Sequence, residues 1–345
     1  MRIDLATYRR ALNGLIASAG VDPAQAGTLA ENLAWCDMAG RRNHGIERLP
    51  IMLSRVRTGA IKCPCEPHFE QRAPTIALLD ADGGFGHHAG RLAMDRACDL
   101  AVEQGLGAVG VRNSNFYGAG AYYAQLAAQR GMIGIALSNS FPKVAAHGGT
   151  SPKLGTNPLS FAAPRDAERS IIVDMSTAAL AGSTVREAMA KGTPLEPGLA
   201  IDAAGAPVID PRSASGATLL PAAGAKGFGL AIMVEILTGV LTGAGIGGEV
   251  RSMYRDLDQK GENGHFMLAI DIARWMPLAE FGARMEMLCR WLIPPDAPEG
   301  ARLPGDARWS EIARSLSEGV LVEDNTLGAL EKLADELGLE PAWSH

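Results

Sequence analysis

The stretch that decides the fold begins with Thr75-Ile76-Ala77-Leu78-Leu79-Asp80 and continues through Ala108-Val109-Gly110-Val111 to Ile133-Gly134-Ile135-Ala136-Leu137. Each of these runs is short and apolar, as buried strands are. Helical patterns at 89–104 and 119–130 separate them. Alternation of strands with helices predicts an α/β lobe that begins at residue 75.

A glycine pattern in this lobe resembles a dinucleotide fingerprint. Gly84-Phe85-Gly86-His87-His88-Ala89 fits GxGxxG/A between a strand and a helix. However, Asp82-Gly83-Gly84 lies too far beyond the strand for a tight turn, and Arg112 stands where an acidic residue is expected. A Rossmann fold built on Gly84 and Gly86 is therefore kept as an alternative, in which Arg112 would hold an NADP 2′-phosphate.

Helices are predicted before the lobe. Residues 4–19 carry apolar side chains at helical spacing, and Asp22-Pro23 opens a second helix that runs to about Met38. A third helix covers 53–56 and ends at Gly59. The Pro-rich residues 62–74 are predicted to be a connection, so we place a domain boundary at residue 74.

We expect the catalytic residues in the stretch Arg42-Asn43-His44-Gly45-Ile46-Glu47-Arg48-Leu49-Pro50. If this stretch is helical, His44 and Arg48 lie four residues apart on one face and can address the same small molecule. An imidazole exchanges protons near neutral pH, and a guanidinium holds a carboxylate. The pair suits reduction of a 2-oxo or 2-imino acid; a surface His and Arg capping a helix end is the alternative.

Length, charge and cysteine content narrow the class of protein. The 345 residues exceed the roughly 250–300 at which single cores stop growing, so more than one lobe is expected. A net charge of -6, without blocks of like charge, argues against nucleic acid and membrane partners. MRIDLATYRR lacks the apolar core of a signal peptide, so we expect a cytoplasmic protein. The five scattered cysteines have no zinc or redox spacing, and no metal is expected.

Further motifs place small or polar residues at the ends of predicted elements, where backbone amides can reach phosphates. They are Gly155-Thr156-Asn157-Pro158, Asp174-Met175-Ser176 and Ala225-Lys226-Gly227-Phe228-Gly229. The same kind of pattern recurs in Asn43–Pro50, Val111-Arg112-Asn113-Ser114-Asn115, Tyr117-Gly118-Ala119, Gly131-Met132-Ile133-Gly134, Val234-Glu235 and Leu303-Pro304-Gly305-Asp306. With all of these motifs in this order, the chain resembles the malate/L-lactate dehydrogenase-like oxidoreductases from about residue 1 to 335. That family includes sulfolactate, ureidoglycolate and diketogulonate oxidoreductases and reductases of the cyclic imine piperideine-2-carboxylate.

The resemblance implies an α/β fold of non-Rossmann type. A helical lobe made from both termini, residues 1–74 and 281–345, would pack beside a mixed-sheet lobe, residues 75–280, that binds NAD(P)H. It also implies a homodimer. The resemblance leaves open whether NADH or NADPH is used, and which acid is the substrate.

The resemblance also assigns roles to residues. His44 would exchange the substrate proton, Arg48 would hold the carboxylate, and Thr156 would contact the substrate. Cofactor contacts would come from Phe116, Tyr117, Gly118, Ala119, Gly120, Ser140, Asp174, Met175, Ser176, Ala225, Lys226, Arg302, Leu303, Pro304, Gly305 and Asp306.

Departures from the family pattern fall in the implied substrate pocket. Asn43 replaces a usual Ser, Met52 an aromatic residue, Phe116 a His and Leu199 a Trp. These changes predict an atypical substrate that is bulkier or less polar. Two alternatives stay open: a cyclic-imine reductase of the same family, and a catalytically inactive NAD(P)-binding protein, which Phe116 favours.

His44 is the one obvious acid–base group that this pattern leaves in the pocket. The remaining histidines fall outside the motifs that line the substrate: His68, His87, His88, His147, His265 and His345. We expect the pKa of His44 to lie near the ordinary ~6.5, or lower if the ring is buried.

Overall fold

The computed structural model describes residues 1–340 and Trp343. Its helices are α1 (Leu5–Ser18), α2 (Pro23–Met38), α3 (Leu49–Arg57), α4 (Gly86–Gln104), α5 (Gly120–Gln129), α6 (Gly182–Lys191), α7 (Ala225–Glu235), α8 (Leu278–Leu292), α9 (Asp306–Glu318) and α10 (Asp324–Glu336). Its strands are β1 (Arg2–Ile3), β2 (His68–Ala73), β3 (Ile76–Asp80), β4 (Leu106–Ser114), β5 (Met132–Ser138), β6 (Val144–Ala145), β7 (Pro152–Leu154), β8 (Leu159–Pro164), β9 (Ser170–Met175), β10 (Ala200–Ile201), β11 (Thr218–Leu219), β12 (Asn263–Asp271) and β13 (Val320–Leu321). His345 lies outside the described residues.

A seven-stranded mixed sheet forms the centre of the fold, in the order β2-β3-β4-β12-β5-β8-β9. The three strands predicted from apolar runs are confirmed as β3, β4 and β5. Only β3 and β4 pair in parallel; the other neighbours in this sheet are antiparallel. The mixed sheet of the predicted non-Rossmann α/β fold is thus confirmed.

The glycine pattern that suggested a Rossmann fold has a packing role instead. Helix α4 begins at Gly86, and a Cβ there would overlap with the carbonyl oxygens of Asn115 and Phe116. Glycine is needed because the start of the helix lies directly against this backbone. The Rossmann alternative is wrong, because β12 separates β4 from β5 where a parallel sheet would continue.

The two chain termini meet in one helical region. Strand β1 pairs with β13, and the same apolar core includes Leu12 and Leu33 together with Leu330 and Leu333. The two predicted N-terminal helices are confirmed as α1 and α2. Each begins after an aspartate whose side chain accepts hydrogen bonds from backbone N–H groups of the first turn.

Strand β2 lies within the segment predicted to be a connection. His68–Ala73 pairs antiparallel with β3, so the prediction for 62–74 is wrong in its second half. The strand escaped prediction because it is the polar edge of the sheet, with most of its side chains exposed. The boundary at residue 74 stays a prediction, as do the other domain limits.

Candidate active site

The turn that carries His44 is broken in the middle. Arg42–His44 and Ile46–Arg48 are separate short 3-10 turns joined by Gly45. The Asp37 carboxylate accepts hydrogen bonds from the Tyr8 hydroxyl at 2.6 Å and from the Ile46 N–H at 2.7 Å. A Cβ at Gly45 would overlap with this carboxylate. The assumption of one continuous helical face for His44 and Arg48 is therefore wrong, because the buried Asp37 packs against Gly45 and binds the Ile46 N–H between the two turns.

A cavity of about 250 Å³ opens beside His44. Twelve of the predicted site residues line it: Asn43, His44, Phe116, Tyr117, Gly118, Ala119, Gly120, Ser140, Thr156, Asp174, Met175 and Ser176. The wall also contains Pro158 of the Gly155–Pro158 motif, and residues that no motif marked: Arg41, Ser138, Asn139, Leu180, Ala181 and Asn263. Segments far apart in the chain thus converge on one enclosed space.

His44 has the surroundings of a group that can exchange a proton. Its ring stacks on Phe116 with centroids 5.8 Å apart, and its buried Nδ1 has no hydrogen-bond partner among the described residues. Burial lowers the pKa of His44 to about 4, and Asp174 opposes this shift while Arg48 adds to it. The imidazole is therefore neutral at pH 7 and able to accept a proton.

Asp174 is the buried anion of the cavity. Its Oδ2 lies 3.0 Å from Arg308 Nη2 and 3.5 Å from Arg41 Nη2, and its Oδ1 accepts from the Ser160 hydroxyl at 2.7 Å. Burial raises the pKa of Asp174, but Arg308, Arg41 and the Ser160 bond lower it further, so it falls below the ordinary value. The carboxylate is charged and available as an acceptor at the cavity wall.

A second cavity of about 640 Å³ continues from the first on the side of Asp174. Arg41, Asp174 and Met175 line both cavities, and the second one adds Pro304, Gly305 and Arg308. The Arg308 Nε and Nη1 atoms are buried and have no partner among the described residues. The two cavities therefore share part of their wall, and the unsatisfied Arg308 donors lie at the second one.

Glycines bring backbone close to this site. Gly118 has φ +81°, and a Cβ at Gly120 would overlap with the Ser160 hydroxyl. Helix α5 begins at Gly120 without a side-chain cap. Uncapped N–H groups at a helix start can receive phosphate or carboxylate oxygens.

The Gly155–Pro158 loop is fixed by its asparagine. Asn157 accepts from the Ser140 N–H at 3.2 Å and donates to the Glu235 carboxylate at 2.7 Å. Glu235 in turn accepts from the Gly247 N–H at 2.7 Å. These bonds set the position of Thr156 and Ser140 in the cavity wall.

Several predicted residues lie elsewhere within the described part of the chain. Met52 is 1% exposed in the helical core, and Lys226 is exposed at the start of α7. Arg48 donates from Nε to the Asn43 carbonyl at 2.7 Å and lies 3.4 Å from Glu47. Neither cavity is lined by any of the following: Arg48, Met52, Ala225, Lys226, Arg302, Leu303 and Asp306.

Sequence reasoning missed Arg41, Arg308 and His87. Arg41 directly precedes the marked HxxxR stretch, and Arg308 follows Asp306 by two residues, so proximity to motifs was the available signal. His87 is fully buried, and its ring meets Phe116 edge to face at 5.7 Å. It therefore stands behind the ring on which His44 stacks. Its position depends on the packing of α4, which no local pattern reveals.

The described residues contain no group of three or more His, Cys, Asp or Glu side chains placed to hold a metal ion. In the same part of the chain, no helix is long and apolar enough to cross a membrane.

Comparison with known proteins gives one consistent result. The family model described as malate/L-lactate dehydrogenase matches residues 3–331. The malate/(S)-sulfolactate dehydrogenase of Methanothermus fervidus is 32% identical over 324 residues, covering 94% of each chain. The sulfolactate dehydrogenase structure from Methanocaldococcus jannaschii is similar with TM-score 0.91 and 29% identity, covering 99% of this chain and 98% of that one. A delta1-piperideine-2-carboxylate reductase structure from Pseudomonas syringae is similar with TM-score 0.87 and 31% identity, covering 97% and 100%.

Proposed function

Because the chain belongs to the malate/L-lactate dehydrogenase family, we propose that it transfers hydride to or from a small 2-oxo/2-hydroxy acid, with His44 exchanging the proton. Family membership confirms the resemblance predicted from the motifs. The protein is an NAD(P)-dependent oxidoreductase. Relatives named for NAD(+) and for NADP(+) both match, so the cofactor is NAD(H) or NADP(H), and the choice stays open.

The observation that carries the role of His44 is the position of its half-buried ring in the cavity wall. In oxidation, the substrate hydroxyl gives its proton to the neutral imidazole while the carbon-bound hydrogen leaves as hydride. NAD(P)(H), when held by the residues assigned below, would supply the hydride acceptor for oxidation and the hydride donor for reduction. A substrate carboxylate adds negative charge near the ring, which stabilises the imidazolium needed as proton donor for reduction.

Arg48 is proposed to hold the substrate carboxylate, with Asn43 and Thr156 beside it. The Arg48 Nε is already bonded to the Asn43 carbonyl, so the Nη atoms are the ones left for an acid group. Exchange of Glu47, at 3.4 Å, for a substrate carboxylate would bring those atoms into use. Phe116 closes the pocket over His44, and Met52 supports it only from the core.

The residues present fit a dinucleotide. Arg308 has unpartnered buried donors, the start of α5 at Gly120 offers backbone N–H groups that no side chain caps, and Asp174 offers a charged acceptor. We assign the second cavity and the neighbouring part of the first to it, with Pro304 and Gly305 at the far end, and leave the part of the first cavity beside His44 for the substrate. Ala225 and Lys226 would approach from the start of α7, which is also uncapped by a side chain.

A cyclic-imine reductase is the second candidate. The likeness to a piperideine-2-carboxylate reductase favours it, because the same proton donor and carboxylate holder would serve a C=N bond. The third candidate, an inactive NAD(P)-binding protein, is favoured by Phe116 standing where the family has a His.

One assay separates the three. Absorbance at 340 nm is followed with NADH and NADPH in turn, against a panel of 2-oxo acids and cyclic imines. We expect turnover with at least one 2-oxo acid. Turnover of imines alone would favour the second candidate, and dinucleotide binding without turnover would favour the third.

We also propose that the protein is a homodimer. Apolar side chains are exposed on α8 and on α7 with the helical turns after it, including Trp291, Met287, Val240 and Leu241. Exposed patches of this kind mark protein interfaces. Sedimentation velocity of the purified chain checks the proposal. Cytoplasmic location stays a prediction.

A further inference from the structure

The ring of Tyr254 contacts the guanidinium group that is proposed to hold the substrate carboxylate. The guanidinium carbon of Arg48 lies 5.5 Å from the centroid of this ring, within the distance of a cation–aromatic contact. The ring of Phe141 meets the Tyr254 ring edge to face, with centroids 6.0 Å apart. Phe141 directly follows Ser140, which lines the cavity. Tyr254 is thus in contact with Arg48 and with a residue next to the cavity wall.

The segment that carries Tyr254 is fixed to helix α3. Arg55, buried on this helix, donates from Nη1 to the Asp256 carbonyl and from Nη2 to the Gln259 carbonyl, both at 2.7 Å. Met253 is 6% exposed and belongs to the same apolar core as the buried apolar side chains of α3. The half-exposed Tyr254 ring is therefore attached to a rigid backbone.

Arg48 is attached to the same helix. It directly precedes Leu49, the first residue of α3, and its Nε donates to the Asn43 carbonyl at 2.7 Å. Because both partners are tied to one helix, the ring and the guanidinium are placed against each other before a substrate arrives. A group that is already in position loses less conformational entropy when its ligand binds.

The ring and Glu47 hold the guanidinium in different ways. The Glu47 Oε1 atom lies 3.4 Å from Arg48 Nη2 and balances its charge, so it competes with a substrate carboxylate. An aromatic ring attracts a cation through its quadrupole and leaves the positive charge free to attract an anion. When a carboxylate displaces Glu47, the Tyr254 ring and the Asn43 carbonyl are the contacts of Arg48 that remain among the described residues.

We infer that Tyr254 is a positioning residue, whose ring holds the Arg48 guanidinium ready to receive the substrate carboxylate. This role rests on the proposed function and belongs to a residue that no motif marks. Loss of the ring should weaken the binding of the acid group, whereas loss of the phenol hydroxyl should not, because a cation–aromatic contact needs only the ring. A surface contact that merely stabilises the fold would leave acid binding unchanged.

Binding of oxamate tests this role. Oxamate has the carboxylate and the adjacent carbonyl group of pyruvate but is not reduced, so it can be titrated by calorimetry into the enzyme saturated with NADH or NADPH. Tyr254→Leu should raise the Kd of oxamate by about three- to ten-fold, as expected for a partly exposed cation–aromatic contact. Tyr254→Phe keeps the ring and should leave this Kd within about two-fold of wild type.

A double-mutant cycle shows whether the ring acts through Arg48. Arg48→Met should raise the Kd of oxamate by at least about ten-fold, because it removes the charge that pairs with the carboxylate. In that background Tyr254→Leu should add less than about two-fold, since the ring then has no cation to hold.

The matched control removes a neighbouring contact of the same kind. The guanidinium carbon of Arg255 lies 6.0 Å from the Phe141 centroid, and Arg255→Met deletes this contact while leaving that of Arg48. Arg255 is exposed, so its charge is screened by salt, and the Kd of oxamate should stay within about two-fold. A rise as large as that of Tyr254→Leu would assign the effect to the segment and not to the Tyr254 ring, and would overturn the inference.

Steady-state kinetics provide a second readout. For the 2-oxo acid that is reduced best, Tyr254→Leu should raise KM by about three- to ten-fold and leave kcat within about two-fold, because carboxylate binding is common to the ground state and the transition state. For the methyl ester of the same acid, KM should be the same in Tyr254→Leu and wild type. An equal rise of KM for acid and ester would contradict a role through the carboxylate.

The outcomes separate failure of this role from failure of the proposed function. Unchanged oxamate binding in Tyr254→Leu, or equal weakening in Tyr254→Leu and Tyr254→Phe, would overturn the inference and leave Arg48 in its proposed role. Unchanged binding in Arg48→Met, or no binding to the wild type, would overturn the carboxylate role of Arg48 together with the inference. The expected pattern of oxamate binding would support the positioning role even if no 2-oxo acid were reduced.

Discussion

Two histidines in different regions of the molecule have opposite surroundings. His265, in the middle of the sheet on β12, is bonded at both nitrogens, to Ser138 and Ser114 at 2.9 Å each, and stacks on Tyr117 at 4.6 Å. His44, in the cavity wall, lacks a partner at Nδ1 among the described residues. A buried imidazole with both nitrogens bonded stabilises the fold, whereas a ring that forms part of a cavity wall is available for chemistry.

The largest effect should come from His44. His44→Gln removes the proposed proton carrier and should lower kcat by about 10²–10⁴-fold, the usual contribution of a general acid or base. The affinity for the dinucleotide should stay near normal, because the cofactor site is assigned to other segments. Steady-state kinetics and fluorescence titration with NADH or NADPH measure both quantities. Activity within a few-fold of wild type would place the proton carrier elsewhere and contradict the assignment of His44, in contrast to His265, to catalysis.

Substitution of His265 is expected to have a smaller effect, on the free energy of unfolding and not on kcat. His265→Phe keeps a ring to stack on Tyr117 but removes both bonds to serine hydroxyls, and should cost about 1–3 kcal/mol of the free energy of unfolding. Each serine keeps another acceptor, since Ser138 donates to the Asn139 carbonyl at 2.9 Å and Ser114 donates to the Asn115 carbonyl at 3.4 Å. Urea unfolding measures the loss. Near-normal kcat in the folded variant is expected, and a loss of kcat as large as that of His44→Gln would contradict the distinction.

The sequence predicts the His44 region better than the His265 region. Apolar runs identify β3, β4 and β5, because a buried strand has an apolar side chain at every second position or at every position. Strand β12 is inserted between β4 and β5 from residue 263 onward, and its pairing depends on contacts far apart in sequence. The partners of His265 therefore could not be predicted from spacing.

The site is also only partly predictable. The family resemblance leads to twelve residues of the cavity wall, because loops that approach a dinucleotide need glycine, serine or threonine at fixed places. Arg41 and Arg308 carry no such restriction, since a long cationic side chain can reach a site from many backbone positions. The break at Gly45 could not be predicted without the position of Asp37, whose carboxylate approaches Gly45 from the preceding helix.

The smallest effect concerns the pH dependence of stability, which should have opposite sign in the two regions. Burial lowers the pKa of His265 to about 3 and raises the pKa of Asp37, beneath the His44 turn, to about 7. Between pH 6.5 and 3, unfolded His265 binds a proton that the folded ring does not, so stability falls as the pH falls. Between pH 3.8 and 7, folded Asp37 keeps a proton that the unfolded carboxyl has lost, so stability falls as the pH rises.

Asp37→Asn isolates the second of these terms. The amide oxygen can still accept from Tyr8 and Ile46, whose bonds go to the same carboxylate oxygen, but it does not titrate. As the pH rises from 5 to 7, the unfolding free energy of this variant should increase by about 1–2 kcal/mol relative to that of the wild type. For His265→Phe, the loss of unfolding free energy relative to wild type should become smaller as the pH falls from 6.5 to 4. Urea midpoints across this pH range measure both differences. Parallel curves for Asp37→Asn and wild type would mean that Asp37 is ionised in the fold at pH 5, and that its two bonds outweigh the burial of its charge.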